Sequence, residues 1–433
     1  MSQTISDTTK PGSQADEGAA GGQGRHRCRF CNESLRDVFV DLGMSPLCES
    51  FLSADELDRM EPFFPLCAYV CRNCLLVQLP QYVSAADIFS EYAYFSSYSD
   101  SWLWHARRYV GQMIERFALD ASSQVVEIAS NDGYLLQYFV ERGVPALGID
   151  PAANVAQAAL AKGVPTLVKF FGRNTAQELV DQNVRANLLT ANNVLAHVPD
   201  LNDFVAGAKL LLAPTGVATF EFPHLLRLME ENQFDTIYHE HFCYFSFRAA
   251  RAVLAEHGLV VFDVEELPSH GGSLRVFARH AEHAALDVGP RVRSLLEREG
   301  EAGLDGLEGH RSYAPRVIET RHRLLEFLIS AKRRGLSVAG YGAPGKGNTL
   351  LNYCGVRSDL LAYTVDRNPY KHGKFLPGTH IPIYGPERIA QTQPDYVLIL
   401  PWNLKDEIVD QLSYIREWGG RFVTPIPEPR VFD

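Results

Sequence analysis

The chain has 433 residues, 46% hydrophobic and 21% charged, with a formal net charge of −11. That length is more than one small core serves and predicts roughly two to four domains. The acidic balance argues against general binding to nucleic acid or anionic membrane, and no apolar run approaches the roughly 20 residues of a membrane span.

Residues 1–25 are rich in Ser, Thr, Gln and Gly and lack the apolar core of a signal peptide. They read as a disordered tail on a cytoplasmic protein, a compartment in which thiols stay reduced. Residues 26–85 carry Cys28-x-x-Cys31 and Cys71-x-x-Cys74. Each spacing lets two sulfurs face one ion, and four thiolates close a tetrahedral zinc site with no open position, so the zinc is expected to be structural. The gap of 39 residues between the pairs is longer than in common short fingers. Cys48, Cys67, Cys243 and Cys354 lack such spacing and read as buried thiols.

Residues 86–300 open with an aromatic stretch holding Tyr92, Tyr94 and Tyr98, for which packing is the default role. Strand-like and helix-like runs then alternate. Strands are predicted at 125–129, 146–150, 186–191 and 216–221, and helices at 134–142, 153–162 and 201–212. This pattern predicts an α/β fold with a mostly parallel sheet covered on both faces. The first strand carries Glu127 and runs into Ser130-Asn131-Asp132-Gly133. A dinucleotide fingerprint would need three glycines here, and only Gly133 is present. The loop suits a nucleoside ligand without phosphates, and Asp150, closing the next strand, could hold both ribose hydroxyls. Acid, glycine loop and second acid, with Asn192 ending a later strand, form the pattern of S-adenosylmethionine enzymes. An ordinary strand-to-helix turn built on Asn-Asp-Gly is the alternative.

The run Tyr238-His239-Glu240-His241, continued by Phe242-Cys243-Tyr244-Phe245, concentrates proton-moving groups in an apolar setting that shifts pKa values. A metal site is the weaker reading, because the run lacks the i, i+4 histidines of H-E-x-x-H. If the run is extended, His239 faces away from His241. His197, before Pro199-Asp200, taken alone reads as a residue at a helix entry.

Residues 301–433 repeat the plan of strand, glycine loop and helix. The loop from Gly340 to Thr349 almost matches a P-loop, but Gly347 stands where the magnesium-binding hydroxyl belongs. Amides at a helix start still favour an anion, so Lys346 and Tyr341 are candidates to bind an anionic substrate, with a close-packed turn as the alternative.

Five motifs occur in order: the paired knuckles, E-x-x-x-N-D-G, N-N-V-L-A-H-V-P-D, Y-H-E-H and G-Y-G-A-P-G-K-G-N-T. From about His26 to Asp433 the chain resembles the three-domain sugar-nucleotide C-methyltransferases of antibiotic deoxysugar pathways. The resemblance implies a zinc-binding domain over 26–85, a Rossmann-like methyltransferase domain binding S-adenosylmethionine over 86–300, and a Rossmann-like C-terminal domain over 301–433 that contributes to sugar-nucleotide binding. It implies methylation of a dTDP-4-keto-6-deoxyhexose at C-3′, with C-5′ as the alternative among close relatives. His241 is then the base, Tyr238 a candidate donor to the C-4′ oxygen, Glu240 a support for His241, and His197 and Tyr92 line the same cavity. Glu127, Asn131, Gly133, Asp150 and Asn192 are expected to hold the cofactor, and a monomer is expected. An NAD-dependent oxidoreductase using the C-terminal loop and a non-catalytic zinc-stabilised binding module stand as rivals.

Overall fold

The computed structural model describes residues 26–84, 95–98 and 100–433. The N-terminal tail, Tyr92 and Tyr94 lie outside these residues.

A small ribbon pairs β1 (His26–Arg27) with β2 (Ser34–Leu35). The strands β3 (Asp37–Ser45), β4 (Phe64–Val70) and β5 (Val77–Gln78) then form an antiparallel sheet. Much of the long segment between the two cysteine pairs is therefore a folded hairpin and not a loose loop.

The central sheet begins with β6 (Val125–Ile128), β7 (Ala146–Asp150), β8 (Thr166–Val168), β9 (Ala186–Asn192) and β10 (Leu212–Pro223). β6 is completely buried, as expected of a middle strand covered on both faces. After β10 the chain leaves this sheet. It passes through the Tyr238–His241 run and adds β11 (Cys243–Tyr244) to the edge of the N-terminal sheet, beside β5. It returns as β12 (Leu259–Leu267) and β13 (Ser273–His280), giving the order β12-β13-β10-β9-β6-β7-β8. The two last strands are antiparallel to their neighbours, an addition that the strand–helix alternation did not announce. The strand order reverses between β6 and β9, the kind of crevice where open α/β sheets bind ligands.

Local chemistry sets several boundaries. Asp200 caps the helix Leu201–Leu211 by accepting from the Asp203 amide at 3.0 Å, and Ser246 caps Phe247–Glu256 through the Ala249 amide at 3.1 Å. The expected helix at 134–142 shrinks to Gln137–Val140 within a series of turns.

A third sheet, reached through the long helix Tyr313–Arg333, contains β14 (Val338–Tyr341), β15 (Thr364–Val365), β16 (Ile383–Tyr384), β17 (Tyr396–Ile399), β18 (Arg421–Thr424) and β19 (Arg430–Phe432). Its order is β16-β15-β14-β17-β18-β19, parallel except for β19.

The modules share cores. Cys28, Leu35, Cys71 and Leu76 pack with Phe204, Phe242 and Phe247 of the central unit. Phe39, Leu66 and Val77 pack with Leu350, Leu398 and Val423 of the C-terminal unit. The hairpin between the knuckles reinforces this: Asn348 Nδ2 donates to the Cys48 carbonyl at 2.6 Å, Leu52 bridges Phe375, and Glu61 accepts from the Gly378 amide at 2.6 Å. Among the described residues no helix is long and apolar enough to cross a membrane.

Candidate active site and zinc centre

The four sulfurs of Cys28, Cys31, Cys71 and Cys74 lie within 4.8 Å of one another. Each pair sits in the same tight turn. The Asn32 amide returns to the Cys28 carbonyl and the Leu75 amide to the Cys71 carbonyl, with φ at 60° for both Asn32 and Leu75. A leucine in the left-handed region is costly, and the repeated turn shows what the cost secures: two thiols aimed at one point. Four soft sulfurs and no carboxylate suit zinc and complete its tetrahedron. Gln78 Nε2 donates to Cys28 Sγ at 3.1 Å, orienting it.

At the sheet crevice, Glu127, one residue before the end of β6, is fully buried, and both its oxygens lack a hydrogen-bond partner. Burial, with Asp150 and Asp132 nearby, pushes its carboxyl well above the ordinary range, against a lowering pull from the Tyr134 phenol. Asp150 accepts from the Asn131 amide at 2.8 Å and the Ala152 amide at 2.9 Å, which fixes its carboxylate at the end of β7. Gly133 is needed where it stands. Its φ is +74°, and a Cβ would meet Val164 at 3.1 Å and Ala159 at 3.2 Å. Ser130 Oγ, Asp132 Oδ1 and Asn192 Nδ2 are likewise buried without partners. A polar nucleoside satisfies such a ring of orphaned groups; a dry core would not tolerate it. Glu127, Asn131, Gly133, Asp150 and Asn192 therefore converge, and the residues fit S-adenosylmethionine.

Tyr238–His241 is a turn, not a strand, closed by the His241 amide on the Tyr238 carbonyl at 2.9 Å. The alternation expected of an extended run therefore does not apply, although His239 does point elsewhere, with Nε2 3.2 Å from the Pro65 carbonyl and its ring against Phe64. His241 Nδ1 lies 2.8 Å from the Thr236 carbonyl. A carbonyl only accepts, so Nδ1 carries the proton and Nε2 keeps its lone pair. The Tyr238 ring lies over His241 at 4.0 Å and the His197 ring meets it edge-on at 4.6 Å. Burial holds His241 well below the usual imidazole range, with His197 beside it adding to the effect, and lowers His197 to about 4.

Glu240 turns away from His241. Its Oε1 lies 3.9 Å from Cys48 Sγ, and burial with the Glu49 charge raises it to about 8. Tyr341 also points away from this cavity: it is buried in the C-terminal core, with its hydroxyl donating to Gln411 Oε1 at 2.9 Å. Lys346 faces Trp402 and Asn403, its ammonium 4.4 Å from the Trp402 ring centre. Burial lowers it to about 8 against the attraction of Asp235, whose carboxylate accepts a hydrogen bond from the Trp402 indole N–H at 2.7 Å. The start of the helix Gly345–Cys354 is met by Glu49: a Cβ on Gly345 would lie 2.9 Å from its Oε1, and desolvation raises the Glu49 pKa against lowering by Lys371, 3.8 Å away, and by the Gly345 amide. The sequence alone suggested an anionic substrate near this loop, with a close-packed turn as the alternative.

Three family models match the chain in succession: a zinc binding domain over residues 28–89, a methyltransferase domain over 103–264 and a C-methyltransferase C-terminal domain over 268–427. The C-methyltransferase NovU of Streptomyces niveus is 38% identical over 405 residues, spanning 93% of this chain and 96% of that protein. The chain belongs to the NovU family of C-methyltransferases. A ubiquinone biosynthesis O-methyltransferase of Rhodopseudomonas palustris is 29% identical over 97 residues, 22% of this chain and 38% of the relative. The crystal structure of an S-adenosylmethionine-dependent methyltransferase from Clostridium acetobutylicum covers 42% of this chain and 93% of its own, at 12% identity and a TM-score of 0.34, too distant to argue from.

Like NovU, the chain is a C-methyltransferase; it uses S-adenosylmethionine and carries a four-cysteine zinc site. Around the C-methyltransferase cavity stand groups that the sequence reading passed over. Glu221 on β10 accepts from the buried Arg275 at 2.7 Å and lies 3.1 Å from His105 Nε2. Burial would raise Glu221, but His105 and Arg275 hold it at about 2. Ser269 donates to its other oxygen at 2.9 Å, which ties down the loop bearing His270. The Ser-His-Gly-Gly spacing, a histidine beside two conformationally free residues, was the available signal.

Proposed function

We propose that the chain methylates a carbon beside the ketone of a dTDP-4-keto-6-deoxyhexose, at C-3′, in deoxysugar antibiotic biosynthesis. The observation that carries the reading is His241: a neutral imidazole packed between Tyr238 and His197, its Nδ1 held by the Thr236 carbonyl and its Nε2 left unprotonated. Carbon becomes a nucleophile only after losing a proton, and an adjacent ketone makes that loss accessible to a positioned base. S-adenosylmethionine, when bound, supplies an electrophilic methyl group. His241 removes the proton, Tyr238 packs on its ring, and His197 shares the same wall. Tyr92 joins them in the reading taken from the family resemblance.

Glu127, Asn131, Gly133, Asp150 and Asn192 hold the cofactor, and Lys346, beside Trp402 and Asp235, reaches the sugar nucleotide. A cytoplasmic, monomeric enzyme with its three units near residues 26–85, 86–300 and 301–433 fits this reading. The rival NAD enzyme is disfavoured by Glu49 at the Gly345 amide, where a dinucleotide phosphate would lie.

The test is incubation of the pure protein with methyl-labelled S-adenosylmethionine and a panel of dTDP-4-keto sugars, followed by product NMR. The expected result is a C-3′ methyl branch with one S-adenosylhomocysteine per product. Label at C-5′ would overturn the position, and transfer to oxygen or to none of the panel would overturn the substrate class.

A further inference from the structure

His270 occupies a backbone conformation that a residue with a side chain rarely adopts, φ 55° and ψ 25°, and Gly271 and Gly272 follow at φ 86° and 120°. Such strain persists only where the surroundings impose it. Here they do, from three sides. Ser269 is bonded to Glu221, the Gly271 carbonyl accepts from Gln233 Nε2 at 2.7 Å, and the Gly272 carbonyl accepts from the His224 amide at 3.0 Å. A Cβ on Gly271 would strike the Trp402 ring at 2.7 Å, and one on Gly272 would strike Arg227 at 2.7 Å. The loop is clamped by β10, by the segment leading to His241 and by the C-terminal unit.

What the clamp presents is the imidazole. The His270 ring meets the edge of Trp102 at 5.3 Å, and among the described residues no hydrogen bond consumes its nitrogens. Its ring is accessible to solvent, and the protein packed around the loop lowers its pKa to about 4. His197 and His241 both sense its charge, and Glu221, Lys346 and His105 act on it in turn. With Trp102 on one side and Trp402 against Gly271 on the other, it stands where the cofactor-binding unit meets the C-terminal unit, close enough to His197 and His241 to act on their charge.

We propose that His270 is a further catalytic residue, the hydrogen-bond donor to the substrate's ketone oxygen. This rests on the ketone-adjacent reaction proposed above. His241 Nε2 takes the carbon-bound proton; the C–H pair becomes the C=C bond of the enolate, and the carbonyl π pair moves to oxygen, where the His270 N–H meets it. The carbon then takes the methyl group, the C–S pair stays on sulfur and the carbonyl re-forms. No proton leaves His270, and His241 passes its own to water. A fixed donor aimed where charge develops lowers the barrier without reorganising at the moment of reaction. A neutral imidazole can donate in this way as long as it remains uncharged.

The test uses deuterium exchange at the carbon beside the ketone, in D2O without S-adenosylmethionine, together with methyl-transfer kinetics on the full chain. His270→Gly keeps the left-handed backbone and removes the donor; exchange and kcat should both fall about 100-fold or more, with KM moving less than about threefold and added imidazole restoring part of the loss. His270→Asn, which tolerates the same backbone and retains an amide donor, should lose less. Exchange at the wild-type rate in His270→Gly would overturn the assignment, as would loss of S-adenosylmethionine binding by calorimetry, which would mark a structural role. A wild-type protein that binds S-adenosylmethionine but neither exchanges nor methylates any 4-keto sugar would overturn the substrate reading, and the His270 role with it.

Discussion

Gln78 reaches Cys28 with its side-chain amide, 3.1 Å from the sulfur, while its backbone pairs with Cys243, two residues beyond His241. The zinc knuckle is thus one strand away from the proposed base. Arg29 strengthens the joint by donating to the Pro199 carbonyl at 2.8 Å and lying over the Phe242 ring at 4.7 Å.

This joint makes zinc matter to activity without a catalytic role. Gln78→Ala should weaken zinc retention roughly 10- to 100-fold and lower kcat through β11. Cys71→Ser should abolish stoichiometric zinc and lower Tm sharply. Metal analysis and thermal melts on the same samples check both.

His241→Asn removes the base while leaving the cofactor crevice intact. Methyl transfer should fall by about 100- to 10,000-fold, with S-adenosylmethionine affinity by calorimetry unchanged. Retention of near-normal turnover would remove His241 from the mechanism.

Asp150→Ala strips the carboxylate that ends β7. The loss of charge-assisted bonds to a ribose should weaken S-adenosylmethionine binding roughly 10- to 100-fold. The affinity of the four-sulfur site for zinc should not change, and parallel titrations separate the two effects.

Glu240 gives a pH prediction. Burial first, then the Glu49 charge, raises its carboxyl to about 8 in the folded chain, above the ordinary value of 4.5. The folded state therefore holds a proton that the unfolded state has released, and stability from this group, full below 4.5, is lost as pH rises toward 8. Glu240→Gln mimics the protonated form and should avoid that loss. Its stability advantage over wild type should grow from pH 5 to pH 8 by up to roughly 1.4 kcal/mol per pH unit, read from denaturant melts. A constant difference across that range would contradict the raised carboxyl.

Much of the fold was legible because its signals are local. Cysteine spacing located the zinc site, and apolar runs with alternating helices located the sheet strands. The position of Asp150 at the end of β7 and of Gly133 in the loop after β6 was legible because strand ends and glycine turns leave local marks. The two antiparallel strands were missed because alternation announces parallel order and says nothing of a returning hairpin. The Tyr238–His241 run was found by composition, but its shape was not, since a turn closed by one backbone bond leaves no periodic trace. Glu240 was expected to support His241, and Tyr341 to touch the substrate, because each sits in a motif beside the residue thought to act. In space, adjacency sends Glu240 toward Cys48 and Tyr341 into a core, because successive side chains leave the backbone in different directions. His270 and Glu221 depend on partners from distant segments, and one-dimensional patterns do not record those.

Glu49 has a consequence for the C-terminal unit as a whole. The position at the start of the helix Gly345–Cys354, which in dinucleotide enzymes welcomes a travelling phosphate, is met here by a carboxylate that never leaves. A free anion seeking that seat competes with a tethered rival whose effective concentration is on the order of millimolar and does not fall on dilution. Glu49 and its neighbour Lys371, 3.8 Å away, thereby join the first and last thirds of the molecule at this helix start.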